Sequence, residues 1–136
     1  MANAPAMTAK ETQERPRGLV LVVDDHADTR DLHAQVLGAA GYSVVSAEGV
    51  EQALAIVDAI VVDLVVVDAG PPGSDGFELA QRLHARSPRR PRLLAVSGHV
   101  PESTSTEIVL FDAYLIKPCL PEKLIAVVTD LLAGRG

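Results

Sequence analysis

Two short apolar runs end in carboxylates and a third ends in a lysine. Leu64-Val65-Val66-Val67 leads into Asp68, Leu19-Val20-Leu21-Val22-Val23 into Asp24-Asp25, and Tyr114-Leu115-Ile116 into Lys117-Pro118. A carboxylate at the carboxyl end of a buried parallel strand stands where open α/β sheets bind their ligands. Mg²⁺ prefers oxygen ligands and is usually held by one or two carboxylates with phosphate oxygens and water. Lysine's compact ammonium suits a phosphoryl oxygen. Two acidic strand ends and a basic one therefore describe a site for a divalent cation and a phosphoryl group side by side. Without a cation, two carboxylates about 4 Å apart repel by roughly 4 kcal/mol at an effective dielectric of about 20. A cation relieves that repulsion and clamps a transferring phosphoryl group in line with Asp68.

Each of these residues also has a plainer role. Asp24 and Asp25 can cap the first helix, and Asp68 can hold its loop through bonds to backbone. Ser97 can be an ordinary strand-end hydroxyl, Lys117 a surface charge and Tyr114 a half-buried edge aromatic. What favours the chemical reading is the joint placement, because all of them fall at one edge of one sheet.

The elements that must position them alternate along the chain. Strands are expected at about 19–23, 43–47, 64–68, 93–97 and 113–116. Asp28 is expected to cap a helix through Ala40, with Leu32, Val36, Leu37 and Ala40 on its inner face and Gly41 as its stop. A second helix from Val50 carries Leu54 and Val57 inward, and a third over about 76–86 carries Phe77, Ala80 and Leu83. A weak helix is expected around 103–110. The last begins at Pro121, which suits a first helical position, and buries Leu124, Val128, Leu131 and Leu132. Five strands alternating with five helices make a doubly wound, parallel α/β sheet of flavodoxin-like type the default. No Gly or Pro marks a turn between Val57 and Asp68, so either the helix runs long or Ile60 to Val62 lie partly exposed, with a buried connection favoured over a partner patch.

The 136 residues fit one domain. With 48% apolar residues, two Phe, two Tyr and no Trp, the core must be mostly Val, Leu, Ile and Ala. That suits buried parallel strands covered by helices. A net charge of −6 argues against a nucleic-acid-binding surface as the main one. The local basic stretch of Arg82, Arg86, Arg89, Arg90 and Arg92 reads as a solvated helix end and loop. Cys119 is the single cysteine, which excludes an internal disulfide and points to a reducing cytosol. No apolar run reaches the roughly 18–20 residues that span a bilayer. Residues 1–18 lack the apolar centre of a signal peptide and are expected to be a mobile tail, with 134–136 a short tail at the other end. No room for an effector domain is expected after the last helix. His26, His33, His84 and His99 show no metal-ligand spacing and are expected on the surface.

Taken together, the chain resembles the receiver domains of two-component response regulators over about residues 19–133. The resemblance rests on Asp24-Asp25, on Asp68 followed by Pro72, Asp75, Gly76 and Glu78, on Ser97-Gly98, and on Tyr114 three residues before Lys117-Pro118. It implies that Asp68 is the phosphoacceptor, that Asp24, Asp25, Asp68 and the Gly70 carbonyl hold Mg²⁺, and that Lys117 and Ser97 contact phosphoryl oxygens. It implies that Ser97 and Tyr114 form a switch whose output is the face of the fourth helix, fifth strand and fifth helix. The Lys117-Pro118 bond would be cis. A sensor histidine kinase or histidine phosphotransfer protein would be the donor and a downstream protein the target, with no nucleic acid, no membrane, and a monomer or weak homodimer as the working form.

Several positions depart from the family's pattern. Cys119 stands where an aromatic is common, Ser97 where Thr is frequent and Leu110 where a Gly usually ends the fourth helix. The stretch from Ser97 to Lys117 is also about two residues short. Rival readings are an aspartyl-phosphate-forming phosphatase and a receiver-like interaction module that is never phosphorylated. The phosphatase wants a second Asp two residues after the nucleophile, where Gly70 stands. A serine-hydrolase elbow, a P-loop and a His-Glu-x-x-His zinc site are absent. An excised receiver of a hybrid kinase would look the same as a single-domain regulator.

Overall fold

The computed structural model describes residues 17–71, 73–86, 90–98 and 110–133. Its strands are β1 (Leu19–Val23), β2 (Ser43–Ala47), β3 (Leu64–Asp68), β4 (Arg92–Ser97) and β5 (Ala113–Ile116). The described helices are α1 (Ala27–Ala39), α2 (Val50–Ala59), α3 (Asp75–His84) and α4 (Pro121–Ala133). The helix expected around 103–110 lies almost wholly outside the described residues, as do Pro72, Arg89 and His99. The strands form one parallel sheet in the order β2-β1-β3-β4-β5. That is the flavodoxin-like order, whose switch point lies between β1 and β3.

Alternation along the strands divides the core into two layers. Leu21, Val23, Val65, Val67, Leu93 and Ala95 meet Ala53 and Leu54 of α2 and Leu79, Ala80 and Leu83 of α3. Val20, Val22, Leu64, Val66, Leu94 and Val96 meet Leu37 of α1 and Leu124 and Val128 of α4. Strands covered on both faces read as unbroken apolar runs, which is why β1 and β3 are so legible in the sequence. Each such fully buried Leu or Val contributes roughly 1.5–3 kcal/mol.

The end of α1 follows the glycine signal. Gly41 takes a left-handed φ of 104°, its N–H donates to the Gly38 carbonyl at 3.1 Å, and the Tyr42 N–H donates to Leu37 at 3.2 Å. That bond pair is the Schellman arrangement. The start of α1 differs from expectation. His26, not Asp28, is the capping residue, and Asp28 lies exposed in the first turn. The inner face also differs, since His33 and Leu37 are buried while Leu32 is 54% exposed. A buried histidine interrupts the apolar period, so the nearest leucine reads falsely as inward. Ile60 and Val61 are also exposed, Val61 at 78%, and only Val62 of that connection is buried. The helix α2 ends at Ala59, which leaves those two side chains beyond its packed face.

At the amino edge of the sheet, two aspartates clamp neighbouring strands in the same way. Asp63 accepts the Leu19 N–H on its carboxylate at 2.8 Å and donates its own N–H to the Leu19 carbonyl at 2.9 Å. Asp112 does the same to Leu93, at 2.8 Å for both bonds, and pairs with Arg90 at 3.0 Å. Below residue 19 the chain is still docked at Arg17, whose guanidinium lies 5.0 Å from the Tyr42 ring centre and donates to the Ala40 carbonyl.

Burial alone would push the Asp112 carboxyl up, but the Arg90 guanidinium and the Leu93 N–H outweigh it and hold it below the usual carboxylate range. A depressed carboxyl pKa gives stability that is present above the unfolded-state value of about 3.9 and is lost as pH falls through the folded one. Asp112→Asn should therefore lose about 1–2 kcal/mol at pH 7, with a deficit that shrinks below about pH 4. Urea unfolding of both proteins at pH 7 and pH 3 checks this. A deficit independent of pH would show that the charge is not what clamps β4 to β5.

Candidate functional site

Asp24 is the first residue past β1 and is only 3% exposed. Its N–H donates to the Ala47 carbonyl at 3.2 Å, and its carboxylate accepts the His26 N–H at 2.9 Å. Its carbonyl accepts from the Arg30 guanidinium at 2.8 Å. Asp25 beside it is exposed. Asp68 closes β3 and is half-buried. Because Val23 pairs with Val67 in register, Asp24 and Asp68 stand level on neighbouring strands.

The lysine comes from two strands away. Lys117 follows β5, its N–H donates to the Ser97 carbonyl at 2.8 Å, and its ammonium donates to Asp68 Oδ1 at 2.8 Å. It thus crosses the end of β4, where Ser97 is fully buried, to reach β3. The Lys117-Pro118 bond is cis. The Lys117 side chain is 40% exposed, so the ion pair is screened and worth only about 0–1 kcal/mol to the fold. Its importance is charge balance inside the acidic cluster.

Carboxylate oxygens of Asp24, Asp25 and Asp68 and a ring nitrogen of His26 lie within 4.8 Å of one another. This donor set, with one carboxylate buried, fits a divalent cation. A cavity of about 270 Å³ opens beside it, walled by Gly70, Ser74 and Asp75 on one side and by Glu48 and Gly49 on the other. Pockets for drug-sized molecules run from about 300 to 1,000 Å³, so this one better suits an ion with a phosphoryl-sized group.

Glycine is required where α3 begins. A Cβ on Gly76 would lie 2.5 Å from the Asp68 carbonyl oxygen and 3.0 Å from the Ala69 Cα. The helix start is thereby pressed against the backbone that carries Asp68. Gly70 is also tight, since a Cβ there would meet Ser74 Cβ at 3.2 Å.

The other residues singled out in the sequence behave unevenly. Tyr114 is half-buried and stacks edge-on against Phe111, with ring centres 5.5 Å apart. Arg82 pairs with Glu51 and Glu78, Arg86 with Asp58, and Arg90 with Asp112, so those charges are neutralised locally. Burial pushes the Cys119 thiol up, which favours its protonated form. Two histidines depart from the surface role expected of them, and a third keeps it but joins the site. His33 is buried, and burial pushes its pKa down against the pull of Asp24. His84 is half-buried with Nε2 3.1 Å from the Leu110 carbonyl. His26 is exposed, yet its ring joins the acidic cluster. Its position directly after Asp25 is the signal in the sequence, although it matches none of the wider metal-ligand spacings.

A family model described as the response regulator receiver domain matches residues 20–129. The chain belongs to the response regulator receiver family. Among curated proteins, this receiver is 33% identical over 125 residues to the phosphate regulon transcriptional regulatory protein PhoB of Pseudomonas aeruginosa, covering 86% of this chain and 52% of that protein. It is 41% identical over 86 residues to the virulence sensor protein BvgS of Bordetella bronchiseptica, covering 62% of this chain and 7% of that one. The receiver thus spans about half of the first relative and a small part of the second.

Among solved structures, a CheY-like receiver domain protein of Methanospirillum hungatei superposes with a TM-score of 0.76 at 27% identity, covering 87% of this chain and 95% of that one. The response regulator protein TrrA of Thermotoga maritima, in complex with Mg(2+)-BeF, superposes with a TM-score of 0.74 at 27% identity, covering 85% and 99%. Among the described residues, no helix is long and apolar enough to cross a membrane.

The Gly76 contact yields a direct test. Elsewhere in a helix, Gly→Ala gains about 1 kcal/mol of propensity. Gly76→Ala should instead lose about 1–3 kcal/mol through overpacking against Asp68 and Ala69. Thermal and urea unfolding measure it, and a neutral or stabilised variant would show that the loop can yield.

Proposed function

We propose that this receiver accepts a phosphoryl group on Asp68 from the phosphohistidine of a sensor histidine kinase or a histidine phosphotransfer protein. The observation that carries the reading is the 2.8 Å contact of Lys117 with Asp68 inside a cluster of three convergent carboxylates. A structural ion pair would need one carboxylate; three facing one cavity beside a lysine suit a cation and a phosphoryl group together. In the transfer, an Asp68 carboxylate oxygen attacks phosphorus, the new P–O bond forms as the P–N bond breaks, and the imidazole, already protonated on its other ring nitrogen, keeps the bonding pair and leaves neutral. Lys117 pairs with one phosphoryl oxygen and the Ser97 hydroxyl binds another. Asp24, Asp25, Asp68 and the Gly70 carbonyl hold Mg²⁺, which supplies neutralising charge at the transferring group. The Mg(2+)-BeF complex of the Thermotoga relative supports the choice of ion.

The protein's chemistry on this reading is limited to its own phosphorylation and dephosphorylation. It acts in the cytosol as the phosphoacceptor of a two-component pathway, monomeric or weakly dimeric. Its signal passes to a protein target through the face made by the helix expected around 103–110, β5 and α4, with Ser97 and Tyr114 as the switch. A phosphatase of the aspartyl-phosphate type is disfavoured because Gly70 supplies no acid or base two residues after Asp68.

Incubation with a small phosphodonor and Mg²⁺, followed by mass spectrometry, should place the label on Asp68. Chelation or Asp25→Ala should abolish it, whereas Lys117→Ala should label yet lose the conformational response. Equal labelling of Asp68→Asn protein would sink the proposal.

A further inference from the structure

We infer that His26 supplies an imidazole nitrogen to the cation site, so that it takes a nitrogen-accepting first-row transition ion such as Ni²⁺, Co²⁺ or Zn²⁺ with an added bond that Mg²⁺ does not make. The inference rests on the reading of Asp24, Asp25 and Asp68 as a cation site and concerns which ions that site prefers.

The distances favour ligation. His26 Nδ1 lies 3.0 Å from Asp25 Oδ1 and 3.4 Å from Asp24 Oδ1. Around an ion with bonds of about 2.1 Å, adjacent ligand atoms stand about 3.0 Å apart in an octahedron and about 3.4 Å in a tetrahedron. The nitrogen therefore already stands at the spacing of a neighbouring ligand. All four donors lie within 4.8 Å, and trans ligands stand about 4.2 Å apart, so the widest pair must close by only about half an ångström.

The backbone leaves the ring available. His26 caps α1 with its carbonyl, which accepts the Arg30 N–H at 3.0 Å, and its own N–H is held by Asp24 at 2.9 Å. The chain is thus pinned on both sides, while the side chain makes no capping bond and is 75% exposed. An ion can reach the ring without any opening of the fold. The cations already near the cluster do not compete for this position, because Lys117 bonds Asp68 and Arg30 bonds the Asp24 carbonyl.

The donor chemistry then separates two classes of ion. Imidazole suits zinc, copper and nickel, whereas magnesium takes oxygen and keeps several waters. Removing the ring should weaken the first class and leave the second nearly untouched.

The test titrates the tag-free full chain with Ni²⁺ and with Mg²⁺ by calorimetry, in wild type, His26→Ala and His26→Gln. Both variants should bind Ni²⁺ about tenfold or more weakly while Mg²⁺ affinity holds, which also serves as the check on folding. The visible bands of the Co²⁺ complex should move to longer wavelength in both, since oxygen donors split the d levels less than imidazole. Equal losses for Ni²⁺ and Mg²⁺, or Co²⁺ bands unmoved, would overturn the ligand role of His26 and leave the cation site standing. Failure of wild type to bind Mg²⁺ as well as Ni²⁺ would overturn both.

Discussion

Three carboxylates are held within 4.8 Å of one another against their own repulsion, and most of the structure answers to that constraint. At about 4 Å and an effective dielectric of about 20, each close pair costs roughly 4 kcal/mol, comparable to much of a small domain's net stability. Loops could not hold them so. Asp24 and Asp68 instead end adjacent strands buried on both faces and paired in register from Val20 to Val23. A slip by one residue would turn every side chain of a strand to the wrong layer. The apolar runs thus fix the carboxylates, and the carboxylates are free to be unfavourable.

Relief comes from the far side of the sheet. Lys117 is joined to Ser97 by its N–H and to Asp68 by its ammonium, so the ends of β3, β4 and β5 form one bonded unit. Gly76 closes the same unit from above, since only a residue without Cβ lets α3 rest on the Asp68 carbonyl. A change of charge at Asp68 is therefore felt by a lysine, a buried serine carbonyl and a helix start together.

The central strands and the acidic edge were legible because buried parallel strands write themselves as unbroken Val and Leu runs, and Asp68 closes one of them. The phase of α1 was not legible. Its inner face is set by His33 and Leu37, and a histidine at a buried position defeats any apolar count that would exclude Leu32. The cap was misplaced for a related reason. Asp28 has the better side chain for capping, but the local turn bond from the His26 N–H back to Asp24 decides where the helix begins. Ile60 and Val61 misled in the other direction, since apolar character says nothing of where a helix will stop.

The aspartates at the two ends of the sheet have opposite fates, and the reason is the polarity of parallel strands. At the amino edge, Asp63 and Asp112 each find a strand N–H with no partner strand of its own, and are satisfied by it at 2.8 Å. At the carboxyl edge the aspartates take partners from beyond the strands, Asp24 the His26 N–H of the following loop and Asp68 the Lys117 ammonium. The same side chain is thus a staple between strands at one rim and an anchor for loop and charge at the other. A parallel sheet sorts its acids by direction alone, before any residue around them is chosen for chemistry.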